Sequence, residues 1–361
     1  MYVYNLISGL LLADVAISLH ESSECEVPGS FKDFVDTALR SDAAGTLTAG
    51  ASLLSNGCFL AYGAVAAGSL LADTLPGWGL DPVVGTVAFA AIISLFAATQ
   101  SNAGLERIAN AVVMVVFSSF AALLMPSIAS VSDPVGTFLA PGTNPGGFAS
   151  AVGSAVPLLL SSLMYQNIVP SITKLLDFDR AKTTAAIAIG SLIPMGMYIA
   201  WCYAALGGGL DGTTASGAGA AAFTAFSASA LFVSCLTAVM SLAEEYESLL
   251  FSRTEEDDDG DCPTISNRFS IPAVAASVMP PVAVALAFAE GGDLTGALHF
   301  NGAFIVPFLY GLLPIILYRS VRQYQLQDSA ISISSLPQVL LGAGTVCALG
   351  QEMVQYACTY I

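Results

Sequence analysis

The sequence predicts an all-α polytopic membrane protein, and three observations carry that reading. Of the 361 residues 55% are hydrophobic and only 10% are charged, whereas a soluble domain carries roughly a quarter charged residues. So few charges do not solvate an ordinary surface, so most of the surface faces lipid. Several continuous apolar stretches exceed about 18 residues, the length needed to cross a bilayer core, and they lack the short alternation of a membrane β-barrel. The ten Lys and Arg residues, finally, fall only in alternate loops.

Ten apolar spans are expected, at about 1–18, 46–72, 82–99, 106–126, 148–175, 181–207, 222–252, 270–289, 294–318 and 335–360. Connections such as "LPGWGLDP", "LAPGTNPGG" and "AEGGDL" carry the Pro and Gly that end helices. Lys32 and Arg40 follow the first span, and Arg107 the third. Lys174, Arg180 and Lys182 follow the fifth, Arg253 and Arg268 the seventh, Arg319 and Arg322 the ninth. Loops after the even-numbered spans have none, which sets the odd-numbered loops inside and the C-terminus outside. The whole of 1–361 thus reads as one transmembrane domain. Its first inside loop, 19–45, holds an amphipathic segment, "GSFKDFVDTALRSD", suited to a helix at the interface or over a loop. Another inside loop, 253–268, is an acidic run. It is not an EF-hand, because Ser266 stands where a bidentate Glu is required.

Net charge is −17, which argues against nucleic acid as a partner and leaves membrane lipid as the surrounding one. Seven cysteines are present, five of them in apolar runs, and no metal-ligand spacing occurs. Neither a disulfide framework nor a zinc site is expected. No basic residue precedes Lys32, so the N-terminus does not read as a secretory signal. No nucleotide-binding motif and no convergent His, Asp or Cys constellation favours an ATP-driven pump or an enzyme.

The fifth span departs from a plain membrane helix. Within "SSLMYQNIVPSI" stand Tyr165, Gln166, Asn167 and Pro170, at a depth where lipid favours Leu. Irregular backbone survives there only when buried in protein or lining a cavity. A break resolves the conflict: a new half-helix starts near Ile168, Asn167 caps it, Pro170 sits in its first turn and Lys174 near its end. Its N-terminus then points at the midplane and suits a carboxylate, as in many secondary transporters.

"VPLLLSSLMYQNIVPSI" followed by "IAIGSLIPMGMYIAWCYAALG" resembles the hydroxy and aromatic amino acid permeases, the tryptophan and tyrosine permeases of the amino acid–polyamine–organocation superfamily. The similarity is nearest to their plastid-type and algal members. "SGLLLADVAIS" with Asp14, Asn110, and "VMPPVAVALAF" with Pro280 and Pro281 fit the same pattern in order. The resemblance implies the inverted-repeat transporter fold of five plus five helices. It also implies that the family's glycine-rich first helix has no counterpart here, since "MYVYNLISGLLLAD" resembles the second. Gln166 stands where many relatives have His, so no proton-carrying role transfers to it.

The candidate substrate-binding residues are Ser162, Met164, Tyr165, Gln166 and Asn167 at the break, with Tyr62, which resembles a cavity-facing tyrosine of the family. Ser234 and Thr237, spaced along the seventh span, form the candidate cation site that the resemblance implies. Ser and Thr there also suit bonding across helices or to their own backbone. Glu244, Glu245 and Glu247 are expected to be solvated near the inside end of that span. No cofactor is expected beyond a coupling proton or sodium ion. The resulting expectation is a secondary permease for amino acids, aromatic ones by resemblance, in a plasma or inner membrane or a plastid envelope. The alternative is a truncated paralogue serving as a membrane receptor or scaffold.

Overall fold

A computed structural model describes residues 1–22, 30–75, 77, 79–139, 147–208, 218–251, 269–288, 294–325 and 336–360. Among the described residues all regular structure is helical, and nine helices are long and apolar enough to cross a membrane. The protein is therefore an all-α, integral, multi-pass membrane protein. The tenth expected span is a helix too, Leu336–Tyr360, but it is not among the nine. Pro337, Gln338, Gln351 and Glu352 dilute its apolar content.

The chain opens with α1 (Tyr2–Ser22) and the short α2 (Phe31–Leu39). Ser30 starts α2 by accepting the Asp33 N–H at 3.0 Å while its own hydroxyl donates to the Asp33 carboxylate at 2.7 Å, a reciprocal cap of the kind that fixes helix N-termini. The apolar face of α2 does not lie in lipid: Phe31, Phe34 and Val35 are buried in the protein core. Next come α3 (Asp42–Thr74), α4 (Pro82–Thr99), α5 (Asn102–Ala129) and α6 (Pro134–Leu139). Asp81 caps α4 through the Val83 N–H, with Pro82 in the first turn, where its missing N–H costs nothing.

The broken span is α7 (Gly147–Ser162), a turn of 3-10 helix at Gln166–Ile168, and α8 (Val169–Leu175). The long α9 (Arg180–Gly208), α10 (Ala218–Phe251) and α11 (Ile271–Phe288) follow. The ninth span is α12 (Thr295–Phe300), two π-helical turns at Asn301–Ile305 and Phe308–Leu312, and α13 (Leu313–Gln325); α14 (Leu336–Tyr360) closes the chain. The acidic loop 253–268 lies outside the described residues.

Two cores organise these helices. One joins α1, α2, α7, α8, α9, the 301–321 stretch and α14 around Leu12, Phe34, Leu160, Leu309 and Tyr310. The other joins α3, α4, α10 and α11 around Leu60, Ile93, Leu236 and Val274. A small aromatic cluster of Phe120, Trp201 and Phe226 ties α5, α9 and α10. Leu95, Met114, Ile189 and Leu206 are each more than half exposed, as lipid-facing side chains of a membrane protein are. Gly63 and Gly68 serve packing: Gly63 lies against Cys235 of α10, and Gly68 against Pro82 and Thr86 of α4.

Candidate functional site

The interruption expected in the fifth span is present. Helix α7 stops at Ser162, and Leu163 to Tyr165 are not helical. Tyr165 sits at φ −143° and ψ 1°, outside helical geometry. Pro170 falls in the first turn of α8, where it removes no helical bond, and Lys174 falls in the last turn. The whole segment is still one apolar stretch, Ala155–Leu175, of membrane-spanning length. Its free backbone groups therefore need partners from the protein.

Side chains supply part of what the broken backbone lost. The Gln166 side-chain carbonyl accepts the Tyr165 N–H at 2.8 Å, and its amide donates to the Asn5 side-chain carbonyl at 2.8 Å. Gln166 is fully buried, with both ends of its amide committed. The Tyr165 hydroxyl donates to the Asn5 backbone carbonyl at 3.0 Å. One asparagine on α1 thus holds two consecutive residues of the break.

The capping role expected for Asn167 is not observed. No side chain caps either the 3-10 turn or α8. The 3-10 turn starts at Gln166, two residues before the Ile168 start that a cap at Asn167 requires, and the Asn167 side chain instead donates to the Ser241 hydroxyl of α10 at 3.2 Å.

These bonds divide the break between two faces. One face opens into a recess of about 100 Å³, lined by Tyr2 and Asn5 of α1, Ser162 to Tyr165 of the break, and Ser191 and Pro194 of α9. That volume is well below the roughly 300–1,000 Å³ of pockets that enclose a drug-sized ligand. It has room for a few atoms. The other face looks toward the α3–α10 pair: Ser55 of α3 reaches Met164 Sδ at 3.7 Å, and Ser241 of α10 meets Asn167. Tyr62, at 38% exposure, belongs to this helix pair and not to the recess. Ser234 and Thr237 also lie on α10. The Thr237 hydroxyl proton is given to the Val233 carbonyl of its own helix at 2.8 Å, which leaves its oxygen lone pairs able to accept.

Sequence reasoning missed Asn5. The signal was available: an amide side chain inside "MYVYNLISGLLL" is as conspicuous in an apolar span as the polar run it serves. Asn301 is visible in the sequence as a polar residue at the outer start of the ninth span, but nothing there gives it a partner; it is buried at the start of the first π-helical turn, and its amide donates to Ser161 of α7 at 3.0 Å. Glu245, expected in solvent, is buried at 2% exposure, and its carboxylate receives the Phe31 and Lys32 N–H groups of α2 at 3.0 and 3.3 Å. Asp14 is ion-paired, with Arg180 at 3.0 Å and Arg322 at 3.8 Å.

Comparison with known proteins bears on the whole chain. No curated protein is found to match it. The model of the tryptophan/tyrosine permease family matches residues 1–335, from α1 through the broken span to the end of α13 and beyond. With that match spanning most of its length, and with a helical membrane architecture interrupted at the fifth span, the chain belongs to the tryptophan/tyrosine permease family and is an amino acid transporter.

Proposed function

We propose that the chain is a secondary active transporter of aromatic amino acids, tyrosine or tryptophan, working by ion-coupled alternating access in the inverted-repeat fold. The observation that carries this reading is the interruption at Leu163–Tyr165 inside the Ala155–Leu175 span. Polar backbone at that depth is expensive unless a protein partner or ligand takes it up. In this reading the substrate's charged ends meet the break. Ser162, Met164, Tyr165 and Asn167 contact it, Tyr62 faces it from α3, and Gln166 holds the backbone in shape from behind. The aromatic side chain packs on Met164 and Tyr165. Ser234 and Thr237 offer hydroxyl oxygens to a coupling sodium ion, with a proton as the rival.

The two cores support the mechanism. The break belongs with α1 in one core, while α3, α4, α10 and α11 form the other. Rocking one body against the other opens the site alternately to each side. Contacts between them at the break, Asn167 to Ser241 and Met164 to Ser55, are single polar bonds that break at little cost.

The test is uptake of labelled tyrosine and tryptophan into proteoliposomes holding the purified full chain, with a sodium or proton gradient imposed in turn. Accumulation of either amino acid above equilibrium under one gradient supports the reading. Uptake confined to lysine or glutamate, or uptake that ignores both gradients, overturns it.

A further inference from the structure

Glu352 is 1% exposed on α14, and among the described residues neither of its carboxylate oxygens has a hydrogen-bond partner. Leu341, Thr345 and Glu352 follow one another at helical spacing and are all buried, so they form one stripe along α14. Gly342 lies beside Ile315, and Thr345 beside Gly311. The two segments therefore run antiparallel. Two turns beyond Thr345, Glu352 reaches the level of the π-helical turn Asn301–Ile305, against which α14 packs.

A second orphaned oxygen lies in that turn. Asn301 is fully buried; its amide nitrogen is used by Ser161, but its side-chain carbonyl has no partner among the described residues. The Val306 N–H returns to the Asn301 backbone carbonyl, five residues back. Such widened turns are rare and concentrate at functional sites. No Lys or Arg lies between Arg268 and Arg319 or after Arg322, so neither side of the seam carries a permanent cation to pair with Glu352. A buried charge without a partner is among the most expensive features a protein contains; such groups are paired or bind metal.

We propose that Glu352 and the Asn301 side-chain carbonyl bind a monovalent alkali cation in the seam between α14 and the Asn301–Ile305 turn. The donors are all oxygen, which suits a hard cation. One carboxylate balances one positive charge, whereas a divalent ion would leave a buried excess. This site is separate from Ser234 and Thr237 on α10, and it does not depend on the substrate assignment.

The experiment is the thermal melting of the purified full chain, with sodium chloride titrated against N-methyl-D-glucamine chloride at constant ionic strength. Potassium is run as a parallel arm. A saturable rise in Tm with sodium or potassium is expected, because an ion that binds only the folded state stabilises it. In a Ser234→Ala background, which removes one α10 hydroxyl offered to coupling sodium, a saturable rise should remain; there Glu352→Gln should abolish it and Asn301→Ala should weaken its midpoint about tenfold, roughly the loss of one ligand bond. A wild-type Tm that ignores both cations overturns the proposal, as does a rise that survives Glu352→Gln in the Ser234→Ala background. A rise lost in Ser234→Ala but kept in Glu352→Gln moves the ion to α10 and also overturns it. A Tm that shifts with pH and not with alkali cation makes the neutralising charge a proton, with the same consequence. If Glu352→Gln does not fold, Asn301→Ala decides alone, and an unchanged midpoint in that variant overturns the site.

Discussion

Glu245, in the last third of α10, accepts the backbone N–H of Phe31 at 3.0 Å, 214 residues away in sequence. The neighbouring Lys32 N–H joins the same carboxylate at 3.3 Å. The first turn of α2 thus ends on a buried acid from another helix, which satisfies donors that a helix N-terminus leaves open and places negative charge at its positive end. The Ser248 hydroxyl donates to Asp33 at 2.6 Å one turn further on. These bonds fix α2 to α10, and through Phe31 and Phe34 they link the two cores.

Removing that carboxylate should loosen α2 specifically. Glu245→Ala leaves two buried N–H groups unpaired, at roughly 1–3 kcal/mol each by the usual cost of an orphaned donor. Glu245→Gln keeps one acceptor and should lose less. Hydrogen exchange resolved along the chain checks this. Faster exchange at 31–36 in Glu245→Ala, with α4 and α11 unchanged, is the expected pattern. Equal protection of α2 in both variants would remove Glu245 as its anchor.

Lys32, on the same helix, makes a pH prediction. Its ammonium lies 2.7 Å from Asp36 and 3.6 Å from both Asp33 and Asp42, on a side chain only 7% exposed. Burial pulls its pKa down, but the Asp36 bond and the charges of Asp36, Asp33 and Asp42 outweigh it, so the net pKa is above the usual 10.5. A lysine raised in the folded state contributes its full stability below the unfolded value and loses it as pH climbs through the folded value. The Tm gap between wild type and Lys32→Met should therefore stay constant from neutral pH to about pH 9 and close above about pH 10.5. A gap that shrinks between pH 7 and 9 contradicts the ion pair as its source.

Much of this was legible in the sequence. Apolar run lengths located the spans, because a bilayer-crossing helix has to be long and continuous. Tyr165, Gln166, Asn167 and Pro170 located the break, because each is costly in an unbroken helix at that depth. What did not follow was the destination of the polar groups. Asn167 was assigned to its own helix, the commonest local solution, and the structure sends it to Ser241. Glu245 read as solvated because its partners are backbone N–H groups, which no side-chain pattern advertises. The π-helical turns at 301–312 are equally silent in sequence: "NGAFIVPFLYGL" has the periodicity of an ordinary apolar helix.

Gly302, in the first of those turns, should tolerate nothing larger. A Cβ built there collides with the backbone carbonyl of Pro157 on α7, which has no side chain to swing away. At Gly296, one turn and a half earlier, nothing lies within 4 Å. Gly302→Ala should cost roughly 1–3 kcal/mol or more as overpacking, while Gly296→Ala should be neutral or gain up to about 1 kcal/mol in helix propensity. Comparative melting of the two variants checks this. Equal Tm values would mean that α7 and the π-helical turn do not touch.

Asn5 and Gln166 offer the sharpest test of the break itself. Their amides meet at 2.8 Å with Gln166 fully buried, and Gln166 in turn holds the Tyr165 N–H at 2.8 Å. Asn5→Ala should strand the Gln166 amide and cost roughly 1–3 kcal/mol. Gln166→Leu removes that amide, so the double variant should lose less than the two single losses added together. Substrate binding should follow a different order. Asn167→Pro, which removes a backbone donor at the break as well as the Ser241 bond, should weaken tyrosine binding far more than Ser132→Ala beyond the end of α5. Asn5→Ala should fall between them, because it releases Tyr165 without changing a residue of the break. Additive losses in the cycle would show that α1 does not shape the break. Equal affinities for Asn167→Pro and Ser132→Ala would show that the break does not bind substrate. The two results are independent, so the architecture of the break can stand even if its assignment as the substrate site falls.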